Sequence, residues 1–124
     1  METINNNQMH EYTTEHIAFD NNTGSAYARY KHNPNMHTDL YIVYSYGEHF
    51  PMYIYDSGIE QWFGNETKYS PTTSKHQTLA RPDSEDMTML PTGEMLRLIS
   101  RGGYREYCAD RCGVLAFSMK PNRQ

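Results

Sequence analysis

The densest run of chemistry-bearing side chains is Lys68-Tyr69-Ser70-Pro71-Thr72-Thr73-Ser74-Lys75-His76-Gln77. Four aliphatic hydroxyls, the Lys75 ammonium and the His76 imidazole crowd the place where an extended stretch feeds a helix. Thr72 or Thr73 is the predicted N-cap of a short helix running through Ala80 and stopped by Pro82. Unsatisfied N–H groups and the positive end of the helix dipole favour anions there, and Lys75 adds a full charge. A phosphate, carboxylate or nucleotide would suit such a turn, and protonation of His76 would strengthen the hold as pH falls toward about 6. The plainer alternative is that Thr72 and Ser74 cap the helix while Lys75 and His76 form its solvated first turn. A P-loop is excluded, because the glycines that cradle phosphates are missing.

A second group consists of Tyr46, His49, Trp62 and Tyr69. Strand ends beside a helix start form pockets, and an aromatic wall there could stack a base. Trp62 is expected in the core, whereas Tyr46 and Tyr69 suit core and site equally. Two rival uses of these residues follow. A nucleic-acid-binding module would employ Lys68, Lys75, His76 and Arg81, with Tyr69 stacking. A small hydrolase or nuclease would use His76 as base beside Ser74 or Ser70, yet a nucleophile elbow and a recognisable pair of catalytic carboxylates are missing. The six histidines and Cys108 and Cys112 show no C-x2-C, H-x3-H or H-E-x-x-H spacing, so neither metal nor cofactor is expected.

The elements that must position these groups read as an α+β fold. Leu40–Tyr46, Pro51–Tyr55 and Ile59–Phe63 are β-branched or aromatic runs separated by Gly-containing turns, an antiparallel β-meander. Alternation puts Leu40, Ile42, Tyr44 and Tyr46 on one face and Tyr41, Val43 and Ser45 on the other. Lys68–Ser70 is a candidate short fourth strand. Upstream, Glu15–Phe19 and Ser25–Lys31 form a second candidate hairpin. Two or three short helices pack on the sheet: the one opening near Thr72, one over 93–101 capped by Thr92, and one over 104–113 from the spacing of Tyr104, Tyr107, Cys108 and Arg111. The apolar run Val114–Met119 is predicted to return to the sheet as a C-terminal strand. Residues 1–10 are polar and Asn-rich and read as a flexible terminus, leaving 11–124 as a single domain.

With 124 residues the chain holds one core. Mean hydropathy is low, at −0.85, which alone would suggest disorder. Eleven tyrosines overturn that suggestion, because Tyr buries a large ring while scoring as polar. The net charge of −4 disfavours broad binding to duplex nucleic acid. The longest apolar runs are far below the roughly 20 residues of a membrane span, and the N-terminus lacks a signal-peptide core. Two cysteines make no disulfide framework, so the sequons at Asn21 and Asn65 are expected to be incidental and the host-cell cytoplasm is the expected compartment.

The stretch Tyr44-Ser45-Tyr46-Gly47-Glu48-His49-Phe50-Pro51, then Trp62, then Tyr69-Ser70-x-Thr72-Thr73-Ser74-Lys75-His76-Gln77, resembles a group of small phage-encoded proteins of unknown function. About 40 residues carry the resemblance. Glu48-His49, where that group often has a small hydroxyl residue, and the Ser70-Pro71 step depart from the pattern. The resemblance implies a phage or prophage setting and supplies no activity. Together with the missing catalytic signatures, it leads to the expectation of an accessory protein acting by binding. It would inhibit a host factor in an anti-defence role, or sequester a small anionic or nucleotide ligand. The partner site is expected at Tyr46, His49, Tyr69, Thr72, Thr73, Ser74, Lys75, His76 and Arg81. No membrane is expected as partner, and the oligomeric state stays open.

Overall fold

A computed structural model describes residues 2–33 and 38–111. Seven strands lie side by side in chain order: β1 (Glu2–Ile4), β2 (Phe19–Asn21), β3 (Ala26–Asn33), β4 (Thr38–Ser45), β5 (Pro51–Asp56), β6 (Gln61–Asn65) and β7 (Met87–Leu90). The four pairs from β2 to β6 are antiparallel, and the two outermost pairs, β1–β2 and β6–β7, are parallel. A parallel neighbour needs a crossover, and a helix supplies each one. Helix α1 (Met9–Thr14) carries the chain from β1 to β2, and α2 (Pro71–Ala80) carries it from β6 to β7. Helices α3 (Thr92–Arg101) and α4 (Tyr104–Arg111) follow β7. The protein is thus α+β, a mostly antiparallel meander with short helices.

Helices cover both faces of the sheet, which is why β4 is apolar almost throughout. Tyr41, Val43, Tyr53 and Trp62 face a core shared with Met9 of α1 and Ala80 of α2. Leu40, Ile42, Tyr44, Ile54 and Phe63 face the opposite core with Met95, Leu98 and Ile99 of α3 and Tyr104, Tyr107 and Cys108 of α4. The alternation expected along β4 therefore holds through Ser45 and fails at Tyr46. Trp62 is buried, as expected, against His16, Tyr41 and Tyr55. Asp56, also buried, ties α4 to the sheet: one carboxylate oxygen accepts from the Tyr104 N–H at 2.7 Å and the other from Gly58 N–H at 2.8 Å.

Several boundaries differ from the sequence reading. The polar stretch read as a flexible terminus contains β1, a 3-10 turn at Asn6–Gln8 and the start of α1, and its apolar residues Ile4 and Met9 are buried. The segment Lys68–Ser70 forms no strand, because the chain there runs into α2. Strand β7 was not anticipated: its four residues follow an acidic loop and pair parallel to β6, a non-local partnership that local pattern does not announce. The expected strand Val114–Met119 lies outside the described residues. Both sequon asparagines are buried: Asn21 bonds to Asn6, Ser25 and Ala26, and Asn65 to Pro51, Thr67 and Thr92. Neither amide is accessible for glycosylation.

Candidate functional site

The motif over 68–77 does lie where a strand feeds a helix, but its cap is Ser70. Ser70 sits in extended conformation, its hydroxyl accepts from the Thr73 N–H at 3.1 Å, and Pro71 occupies the first helical position. Proline suits that position because its missing N–H is one that the helix could not satisfy. Thr72 is exposed and makes no cap. Thr92 likewise caps nothing: Pro91 precedes α3, and the Thr92 hydroxyl bonds to Asn65.

Helix α2 has an uncommon inner face. The residues it buries are Thr73, His76, Gln77 and Ala80, at i, i+3, i+4 and i+7, so the stripe that normally carries aliphatic side chains is mostly polar. Such burial is tolerable only where partners are supplied. Gln77 donates to the carbonyls of Asn65 and Thr67 at 3.0 and 3.2 Å. The Ser45 hydroxyl, at the inward-facing end of β4, lies 2.8 Å from His76 Nδ1 and 3.3 Å from the Thr73 hydroxyl. The Ser25 hydroxyl, just before β3, lies 3.4 Å from His76 Nε2. The sheet register brings these two serines together, since Ala26 pairs with Ser45.

His76 is only 3% exposed, so it is not a solvated first-turn residue. Burial, with Lys75 nearby, lowers its pKa from the ordinary histidine value. The expectation that His76 gains charge near pH 6 and grips an anion is therefore reversed: the neutral ring is favoured, and it faces the sheet. Over the imidazole lies the Tyr46 ring, centroids 5.5 Å apart and tilted by 34°.

Tyr46 owes its position to backbone conformation. Its φ is +61°, in the left-handed region, and Gly47 follows at φ +130°. That turn takes Tyr46 off the face assigned by alternation and onto the α2 side. A Cβ on Gly47 would lie 3.0 Å from the exposed His49 ring, a tight approach, and the positive φ itself favours glycine there. Register slips between Val43 and Tyr44, where Met52 is the extra residue of a bulge in β5; bulges often re-aim strand ends in this way. The Tyr46 N–H is held by the Ser25 carbonyl at 2.7 Å. Tyr69 packs against Phe50 and the edge of His49.

Of the nine expected site residues, the structure brings Tyr46, Thr73 and His76 together at one end of the sheet, with His49 and Tyr69 paired beside them. Thr72 and Lys75 lie on the exposed side of the same helical turn, and Ser74 is half-buried. Arg81 is at the other end of α2, about 15 Å along a ten-residue helix. There its carbonyl accepts from His10 and its guanidinium lies beside Tyr53. The serines expected to meet His76, Ser70 and Ser74, are replaced in that role by Ser45 and Ser25. Strand alternation gave a clue to Ser45, as a small polar residue on the inner face after Tyr41 and Val43. Ser25 had no local signal. Among the described residues no group of three His, Cys, Asp or Glu side chains is placed to hold a metal ion, and no helix is long and apolar enough to cross a membrane. Comparison with protein-family models, curated proteins and solved structures finds no match to this chain.

Proposed function

We propose that this protein acts by occupation, as a phage-type accessory protein that binds a host factor or sequesters a small anionic or nucleotide ligand. The binding surface is the end of the sheet framed by Tyr46, His49, Tyr69 and the exposed side of the first turn of α2. One observation carries the reading: Tyr46 is 53% exposed and Tyr69 66% exposed, and both rings are braced from behind by buried or ring-stacked neighbours. Rigid, amphipathic rings held in solvent are low-entropy contact groups, the kind that dominate binding hot spots. Thr72 and Lys75 add a hydroxyl and a cation to that rim. The phage setting rests only on the resemblance carried by residues 44–51, Trp62 and 69–77.

The nucleic-acid alternative has less support. Its four donors do not form one face, because His76 is buried and Arg81 lies at the far end of α2. A melting survey with mononucleotides and inorganic phosphate separates the two ligand classes. A rise of several degrees with one nucleotide, abolished by Tyr46→Ala, assigns a small ligand. No rise with any of them leaves a macromolecular partner, to be sought with the same variant as control.

A further inference from the structure

Four hydroxyl-bearing or imidazole side chains from three separate segments meet in one chain of contacts: Thr73 and His76 of α2, Ser45 of β4, and Ser25 before β3. We propose that Ser25 is a nucleophilic serine, with His76 Nε2 as its general base and Ser45 as the residue that positions the imidazole. The substrate class is an ester or similarly activated acyl compound small enough to reach the turn before β3. This goes beyond the binding reading and does not depend on it.

Hydrogen-bond bookkeeping sets the direction of the chain. With the Ser45 hydroxyl donating to Thr73 Oγ1, its lone pairs face His76, and the Nδ1–H tautomer is the one that completes this chain. Nε2 is then the bare nitrogen, and it faces the Ser25 hydroxyl at 3.4 Å. That separation is long for a hydrogen bond and typical of catalytic contacts before substrate seats. Burial keeps the ring neutral, as a base must be. On its far side Ser25 is held by Asn21 Nδ2 at 3.0 Å and lies 2.7 Å from the Thr23 hydroxyl, which fix its rotamer. Asn21 is anchored in turn by Asn6. The approach is open: Asn22, Thr23 and Gly24 are exposed, and no atom lies within 4 Å of where a Gly24 side chain would begin.

In the first step the Ser25 oxygen attacks the carbonyl carbon while its proton moves to His76 Nε2 and the carbonyl π pair moves to oxygen. Collapse expels the alkoxide, which leaves as an alcohol with the proton from Nε2. Water then attacks the acyl carbon as its proton moves to Nε2; collapse breaks the bond to Ser25 Oγ, which takes that proton back as the acid leaves. Ser45 occupies the place that a carboxylate holds in the usual triad, and a neutral hydroxyl stabilises the imidazolium less. Acylation and deacylation are therefore both slowed, so covalent labelling by an activated probe that does not turn over is the sensitive readout.

The test is a fluorophosphonate probe applied to the folded full-length protein, with intact mass and peptide mapping. We expect one adduct, on Ser25, absent in Ser25→Ala and in heat-denatured protein. His76→Asn should slow labelling at least tenfold. Labelling rate should rise with pH and reach half-maximum below the ordinary histidine value. Ser45→Ala should move that midpoint, and Ser45→Thr should restore it, which a merely structural role would not do. Where His76→Asn fails to fold, the pH midpoint in the wild type replaces it. No adduct at saturating probe, an adduct elsewhere, or Ser25 labelling indifferent to His76 and to pH overturns the proposal.

Discussion

Replacing Ser45 with alanine probes the polar layer beneath α2 at its tightest point. Ser45 is 1% exposed, and its hydroxyl lies 2.8 Å from His76 Nδ1 and donates to Thr73 Oγ1 at 3.3 Å. Alanine removes both contacts and leaves Nδ1 of the imidazole buried without a partner. An unsatisfied buried polar group costs about 1–3 kcal/mol, more than the net worth of an ordinary hydrogen bond. Ser25→Ala is the matched control: the residue is half-buried, its contact to His76 is 3.4 Å, Asn21 Nδ2 keeps Asn6 as acceptor, and water can replace the lost hydroxyl beside Thr23, so the loss should stay under about 1 kcal/mol. Urea melts at pH 7.5 measure both, the variant midpoints shifting without a change in slope if only the folded state is affected. A Ser45→Ala loss no larger than that of Ser25→Ala would refute the assignment of Ser45 as the buried partner that holds His76.

Three further outcomes are expected. Ser70→Ala should cost about 1 kcal/mol through loss of the Thr73 cap, and Thr72→Ala less than about 0.5 kcal/mol, as thermal melts of the pair will show. Stability should fall as pH drops below about 6.5, because burial lowers the folded-state pKa of both His76 and His16 beneath the unfolded value. The folded state then binds fewer protons, so this contribution is whole above that pH and is lost toward each folded pKa; His76→Gln and His16→Gln should each flatten part of the fall in urea melts from pH 8 to 5. Trp62→Ala should cost about 3–5 kcal/mol by the same measurement, since its ring closes a cluster with His16, Tyr41 and Tyr55.

The meander was legible in the sequence because β4, β5 and β6 announce themselves with β-branched and aromatic runs and glycine turns. The outer strands were not, because β1 and β7 are three and four residues long and gain their pairing from crossovers that no local window contains. The site was half legible. Hydroxyls, Lys75 and His76 at a helix start drew attention to the right turn. Which way His76 faces was hidden until the helix register was known, since Ser70 rather than a threonine opens α2. Its partners Ser45 and Ser25 are 31 and 51 residues away in the chain, so only the pairing of β3 with β4 brings them to it. Tyr46 was assigned to the wrong face because alternation assumes extended backbone, and its φ is +61°.

The central claim is that the exposed rim around Tyr46, Tyr69 and Lys75 binds a partner, and comparative capture tests it most directly. Wild-type protein and a Tyr46→Ala, Tyr69→Ala, Lys75→Ala variant are immobilised side by side, exposed to bacterial host lysate, and each retained species is then titrated against both purified proteins. All three side chains are exposed, so the melting temperature should drop by no more than a few degrees. We expect a species retained by the wild type and bound at least tenfold more weakly by the folded variant. Equal affinity for both proteins would contradict the claim and remove this end of the sheet from the functional surface.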